Sequence, residues 1–260
     1  RLSMPLMPTA ILWSLMNLAD KYAILWFVGA AGNGIYAVAH KIPTILSVIY
    51  GIFQQAWQLT TFELESREDR SKAYTSVFEL VTCVLFCAGA FLIVLNRVYI
   101  TYFCESSYLV AWKITPILMY SAILNSISGL LGSNYLIMHD TKSALKVTTI
   151  GALINAILNF LLVPILGLYG AAIATVIGYF YMVAKKYFDT SKFTPLSLKI
   201  NRFILVNVLS VIMIISVSIR NDVVYYLVNL LITVFIAWLY KDQFGKVISL
   251  IMNRFKKKVQ

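Results

Sequence analysis

Long, unbroken apolar runs dominate this sequence, and they decide which solvent the chain can fold in. The stretch Phe203–Ile219 carries no charged residue, and Leu109–Met138 carries one, Lys113. Crossing a hydrocarbon core about 30 Å thick takes about 20 mostly apolar residues in a helix. Over the 260 residues, 60% are hydrophobic and 13% charged, with a mean hydropathy of +0.80. A soluble chain holds about 45–50% apolar and about 25% charged residues. So much apolar surface needs a bilayer around it. Backbone groups in lipid must bond internally, which leaves helices or a closed barrel. Barrel strands are about 10 residues long and alternate apolar with polar. These runs are longer and continuous, so the expected fold is all-α and integral to a membrane.

Eight runs read as spans. They are Leu6–Val28, Gly34–Leu59, Val77–Leu95, Leu109–Met138, Leu145–Val163, Tyr169–Val183, Phe203–Ile219 and Val223–Tyr240. The second and fourth exceed a bilayer's thickness and are expected to tilt or kink. Pro43 and Pro116 are the expected kink points, because proline removes a helical hydrogen bond. The polar stretch Asp189–Pro195 separates a six-span unit from a terminal pair. The expected organisation is a six-helix lobe over 1–188, a cytoplasmic linker over 189–202, two additional helices over 203–240 and a basic tail over 241–260. The chain opens Arg1-Leu2-Ser3 and enters a span almost at once, with no secretory signal, as a fragment lacking its upstream part would.

Basic residues set the orientation. With these spans, 17 of the 22 Lys and Arg residues fall on one side and three, Arg97, Lys113 and Arg220, on the other. Cytoplasmic loops carry the Lys/Arg excess, so both ends are expected in the cytoplasm. An even number of spans requires the same. The net charge of +11 therefore reports topology, and no basic patch with interleaved aromatics points to nucleic acid. The tail Arg254–Lys258 is expected to sit on anionic lipids of the inner leaflet.

The informative residues are charges at membrane depth. Asp20 and Lys21 lie in the first span, His40 and Lys41 in the second. A charge at mid-bilayer costs at least about 2.5–3.5 kcal/mol on insertion scales, so such groups face a cavity or a partner. The two spans read as a hairpin turning around Gly29–Gly32. Asp20 precedes Gly29 by as many residues as Lys41 follows Gly32, which puts both about 13 Å from the turn. Asp20 and Lys41 are expected to pair or to share one polar cavity. Three readings stand: an ion pair that holds two helices, a cationic cavity for an anionic ligand, or lysines that snorkel to an interface. Asn17 and Tyr36 add polar groups on the same helices, as do Gln54, Gln55 and Trp57.

Other polar residues read as packing. Asn125, Asn155 and Asn159 can hydrogen-bond between helices, for about 0.6–2 kcal/mol each. Gly129, Gly132, Gly151, Ala152, Gly170, Ala171, Ala172 and Ala174 allow close helix approach. Cys83, Cys87 and Cys104 form no disulfide or metal pattern. His139-Asp140 reads as a capped turn. Glu63, Glu65, Glu68 and Asp69 read as one solvated loop. No HExxH, GxSxG, Walker loop or GxGxxG is present, so neither an enzyme nor a cofactor is expected.

Two segments resemble Wzx-type polysaccharide flippases, of the multidrug/oligosaccharidyl-lipid/polysaccharide exporter superfamily. The first is Asp20-Lys21 followed by Gly34-Ile35-Tyr36-Ala37-Val38-Ala39-His40-Lys41. It is similar to an acidic-basic pair ahead of Gly-[IY]-Tyr-x-x-Ala-x-[KR]. The second is Gly151-Ala152-x-x-Asn155-x-x-x-Asn159, continuing to Pro164, Gly167 and Gly170-Ala171-Ala172-x-Ala174-Thr175. Together they cover about Arg1–Lys186. The resemblance implies two six-helix lobes in a V around a cavity, of which this chain is the second lobe plus two extra helices. It implies translocation of undecaprenyl-diphosphate-linked oligosaccharide across the bacterial cytoplasmic membrane by alternating access. Asp20, Lys21 and Lys41 would lie in the cavity; His40 departs from the pattern. Other membrane proteins of polysaccharide assembly are the further partners it implies. Competing classes are a drug/cation antiporter of the same superfamily and a membrane-embedded polymerase or acyltransferase.

Overall fold

The computed structural model describes residues 16, 18–63, 67–138, 140–193, 199–219, 221–243 and 245. Among these every regular element is helical. Helix α1 covers residues 18–27, α2 Ala30–Glu63, α3 Arg67–Phe103, α4 Ala111–Ile137 and α5 Thr141–Leu166. Then come α6 Leu168–Phe193, α7 Ile200–Ser216 and α8 Asp222–Leu239. Among the described residues six helices, α2 to α6 and α8, are long and apolar enough to cross a membrane, and α7 is a shorter apolar helix. The chain is thus a multi-pass helical membrane protein.

Several helices outrun the apolar runs that mark them. The third begins at Arg67, so Glu68 and Asp69 open α3 instead of lying in a solvated loop, while Glu63 ends α2. The sixth continues through Asp189 and Lys192 to Phe193, and α7 opens at Ile200, so both ends of the linker expected over 189–202 are helical, and its middle, 194–198, lies outside the described residues. Hydropathy stops at the edge of the hydrocarbon, whereas backbone hydrogen bonding continues into the headgroup region. Asn17, His139, Arg220 and the tail 246–260 lie outside the described residues.

Helix α4 is the axis. Nearly all of its central 18 residues are buried, and α2, α3 and α6 all pack on it. Its apolar side chains therefore point all round, as a core helix requires. Ser121 and Ser126 donate to nearby backbone carbonyls and the Ser128 hydroxyl accepts from Lys186, which lets polar residues sit in that core. Asp140 caps α5 by accepting from the Ser143 amide at 3.1 Å, as the capped turn anticipates.

Two tight hairpins shape the site. Gly29, at φ +95°, joins α1 to α2, and Gly167, at φ +58°, joins α5 to α6. Both angles favour glycine. Beyond the second turn α5 and α6 close until a Cβ on Gly170 would lie 2.4 Å from the Leu162 carbonyl oxygen. The α7–α8 pair docks on α3, and α7 also touches α4. At one end Arg97 of α3 pairs with Asp222 and lies 4.5 Å from the Trp112 ring centroid and 5.3 Å from that of Tyr225. At the other, Gln243 donates to Glu79, and Arg202 lies 3.6 Å from Asp242.

The packing at Gly170 gives a direct test. Gly170→Ala should destabilise by about 1–3 kcal/mol or more, because backbone cannot yield to the new methyl. Gly51→Ala, with nothing within 4 Å of its Cβ position, should be neutral or gain up to about 1 kcal/mol of helix propensity. Thermal unfolding of the detergent-solubilised protein checks both.

Candidate functional site

Asp20 and Lys21 are sequence neighbours, and a helix turns about 100° per residue. That rotation sends them to opposite fates. Asp20 is 3% exposed and points into the bundle, whereas Lys21 lies on the exposed face of α1.

Four donors from three other helices converge on the Asp20 carboxylate. Asn159 Nδ2 donates to Oδ1 at 2.6 Å and Asn155 Nδ2 to the same oxygen at 3.1 Å. Thr175 Oγ1 donates to Oδ2 at 2.8 Å and Tyr36 Oη at 3.2 Å. The four-residue spacing of Asn155 and Asn159 stacks both amides on one face of α5. The close α5–α6 hairpin brings Thr175 beside them, and α2 supplies Tyr36. The two asparagines, Asp20 and Thr175 are all buried.

All these partners are neutral. A buried ion without a counter-charge carries a penalty of several kcal/mol, and hydrogen bonds to a charged group each return about 1.5–3 kcal/mol. Four donors offset part of that penalty and hold the carboxylate between α2, α5 and α6. The cage also holds acceptors. The Oδ1 atoms of Asn155 and Asn159 are buried and without a hydrogen-bond partner among the described residues. Turning both amides over would direct two carbonyl oxygens at the carboxylate. With Thr175 Oγ1 and the Ala171 carbonyl 2.9 Å from it, the site becomes an all-oxygen nest. Such a nest suits a small hard cation or a proton. No cluster of three or more His, Cys, Asp or Glu suited to a metal occurs among the described residues.

The expected Asp20–Lys41 pair is not made. Among the described residues the bonds to Asp20 come from Tyr36, Asn155, Asn159 and Thr175, and Lys41 lies on the exposed stripe of α2 with Ala37, Thr44 and Ile45. Equal depth does not fix rotation, and α2 turns Tyr36 inward in its place. Tyr36 links the cage to the charged face. Its hydroxyl reaches Asp20, and its ring meets that of half-buried His40 edge-on at 4.8 Å. His40 also lies within electrostatic range of Lys21. Asn33 Nδ2 donates to the Lys21 carbonyl at 3.3 Å and ties α1 to α2.

Sequence reasoning assigns Asn155, Asn159 and Thr175 to packing or to a motif. Their i, i+4 amides and a buried acid with no counter-charge are the signal that joins them. A second correction concerns Lys186, which charge counting places in a cytoplasmic loop. It is 4% exposed, and its Nζ donates to Ser128 Oγ at 2.9 Å and to the Ser128 carbonyl at 3.2 Å.

Comparison with known families, curated proteins and solved structures finds no match to this chain.

Asn159 makes the shortest bond in the cage. Asn159→Ala should cost about 1–3 kcal/mol, the typical loss when a buried acceptor loses its donor. A fall in melting temperature of the purified protein, larger than for a conservative change on the exposed face such as Leu161→Ala, is the expected reading.

Proposed function

We propose that this chain is a transporter lobe that helps move a lipid-linked, phosphate-bearing oligosaccharide across the bacterial cytoplasmic membrane by alternating access. The observation that carries the reading is the exposed position of Lys21 and Lys41, with half-buried His40 beside them, about 13 Å from the α1–α2 turn. Facing lipid there, each ammonium would bear the intramembrane penalty. Facing a hydrated cavity closed by a second lobe, the same residues form a cationic wall. A diphosphate headgroup crossing hydrocarbon alone meets a large desolvation cost. A wet cationic wall lowers it while the lipid tail stays in the bilayer.

The motif resemblance to Wzx-type flippases supports the same reading, with a six-helix lobe, two additional helices and eight spans in all. The positive-inside pattern favours cytoplasmic ends. In this scheme the Asp20 cage is the coupling site. Filling it with a proton or small cation would release the Tyr36 hydroxyl and change how α2 presents His40 and Lys41. The two lobes would then rock about a midplane site.

A cation-coupled drug antiporter of the same superfamily is the second reading, favoured by the Asp20 cage itself. The substrate's charge separates the two. In the full transporter, Lys21→Ala and Lys41→Ala should each lower surface polysaccharide about tenfold or more at unchanged protein level, and Lys→Arg should retain part of it. Unchanged polysaccharide together with lost export of cationic drugs would favour the antiporter.

A further inference from the structure

A cavity of about 250 Å³ opens between the ends of α4, α5 and α6, at the end of the α5–α6 hairpin opposite Gly167. This is smaller than the about 300–1,000 Å³ of small-molecule pockets. It has room for a phosphate headgroup and not for a sugar repeat. Lys146 on α5 and Lys185 and Lys192 on α6 line it.

Two carboxylates also line it, and both are engaged within its wall. Asp189 accepts from Lys185 at 2.7 Å and from the Tyr135 hydroxyl at 2.9 Å. Asp140 accepts from the Ser143 amide and so caps α5. The balance of three lysines against two aspartates leaves the mouth positive.

Depth identifies the occupant. About 20 residues of helix span the hydrocarbon. Counted from Gly167, that reaches Val147 on α5 and Tyr187 on α6. Lys146 and Lys192 therefore sit at headgroup level and Lys185 at its edge. Val147, Ile150 and Tyr181 form an apolar floor beneath them. The pocket face of α5 continues at helical spacing as Ile150, Leu153, Ile157 and Leu161, and the last three are more than half exposed. A cationic mouth above an exposed apolar stripe matches a phospholipid, phosphate up and acyl chains down. Basic pockets between helix ends at a membrane surface take anionic lipid headgroups.

We infer that this pocket is a specific binding site for an anionic phospholipid, whose headgroup phosphate is held by Lys146 and Lys192 with its chains along α5. The inference is independent of the transported substrate.

The test titrates the purified full-length protein in mild detergent with short-chain phosphatidylglycerol, short-chain phosphatidylcholine and inorganic phosphate. Binding is read by calorimetry. Wild type should bind phosphatidylglycerol about 1:1 and well above phosphatidylcholine. Lys146→Gln/Lys192→Gln should weaken it roughly tenfold or more, while Lys142→Gln, on the same helix end but outside the pocket, should leave it unchanged. Equal loss with Lys142→Gln would overturn the site in favour of diffuse surface charge. Phosphatidylcholine binding as tightly would overturn headgroup selection. Inorganic phosphate competing at the same concentration would overturn the lipid as occupant. If the double variant fails to fold, Ser143→Glu puts a negative charge into the same cavity, and undiminished binding there would overturn the proposal.

Discussion

A buried carboxylate organises this helical bundle. Asp20 is buried among neutral donors, and every element that supplies one must be held to within hydrogen-bond tolerance. That requirement explains features that otherwise look separate. The α5–α6 hairpin closes tightly at Gly170 because Asn155, Asn159 and Thr175 must reach one carboxyl group. The α1–α2 turn is short because Asp20 and Tyr36 must meet across it. Four helices thus converge on one ionisable group. Helix α4, packed on α2, α3 and α6, is the body against which they are held.

The cage and the charged face form one arrangement. Tyr36 bonds the buried acid and meets the His40 ring edge-on, so one side chain of α2 connects Asp20 to the charged face. Lys21 leaves the helix one residue after Asp20, turned about 100° from it onto the exposed face. Neutral polar groups thus lie inside and cations outside, which is the arrangement the proposed function rests on. Arg97 with Asp222 at one end and Glu79 with Gln243 at the other tie the α7–α8 pair to α3, while Arg202 and Asp242 pair within it.

The bilayer's demand for long apolar helices is written in composition, so the membrane class, the hairpin turns and most helix positions are legible in the sequence. Helix ends are less so, as α3 and α6 show, because hydrogen bonding outlasts hydropathy. That Asp20 needs polar company is equally legible. Its partners are not, because three of them lie more than 130 residues away and charge logic reaches for the nearest lysine at the same level. Neutral amides carry no charge signal, and only the i, i+4 spacing of Asn155 and Asn159 hints that they act together. Lys186 misleads for a related reason. A Lys-Lys doublet at the end of an apolar run looks like a loop, yet rotation sends Lys185 outward and Lys186 onto Ser128.

The account stands on water reaching the exposed charged face of α1 and α2 deep within the membrane. Single cysteines at positions 21, 41 and 49, in a protein lacking Cys83, Cys87 and Cys104, report this through their reaction with a charged, membrane-impermeant thiol reagent. Lys21→Cys and Lys41→Cys should react at least tenfold faster than Ile49→Cys, whose native side chain is exposed and apolar. Equally slow reaction at all three positions would mean that the face is greasy and closed to water, and the cationic cavity would not exist.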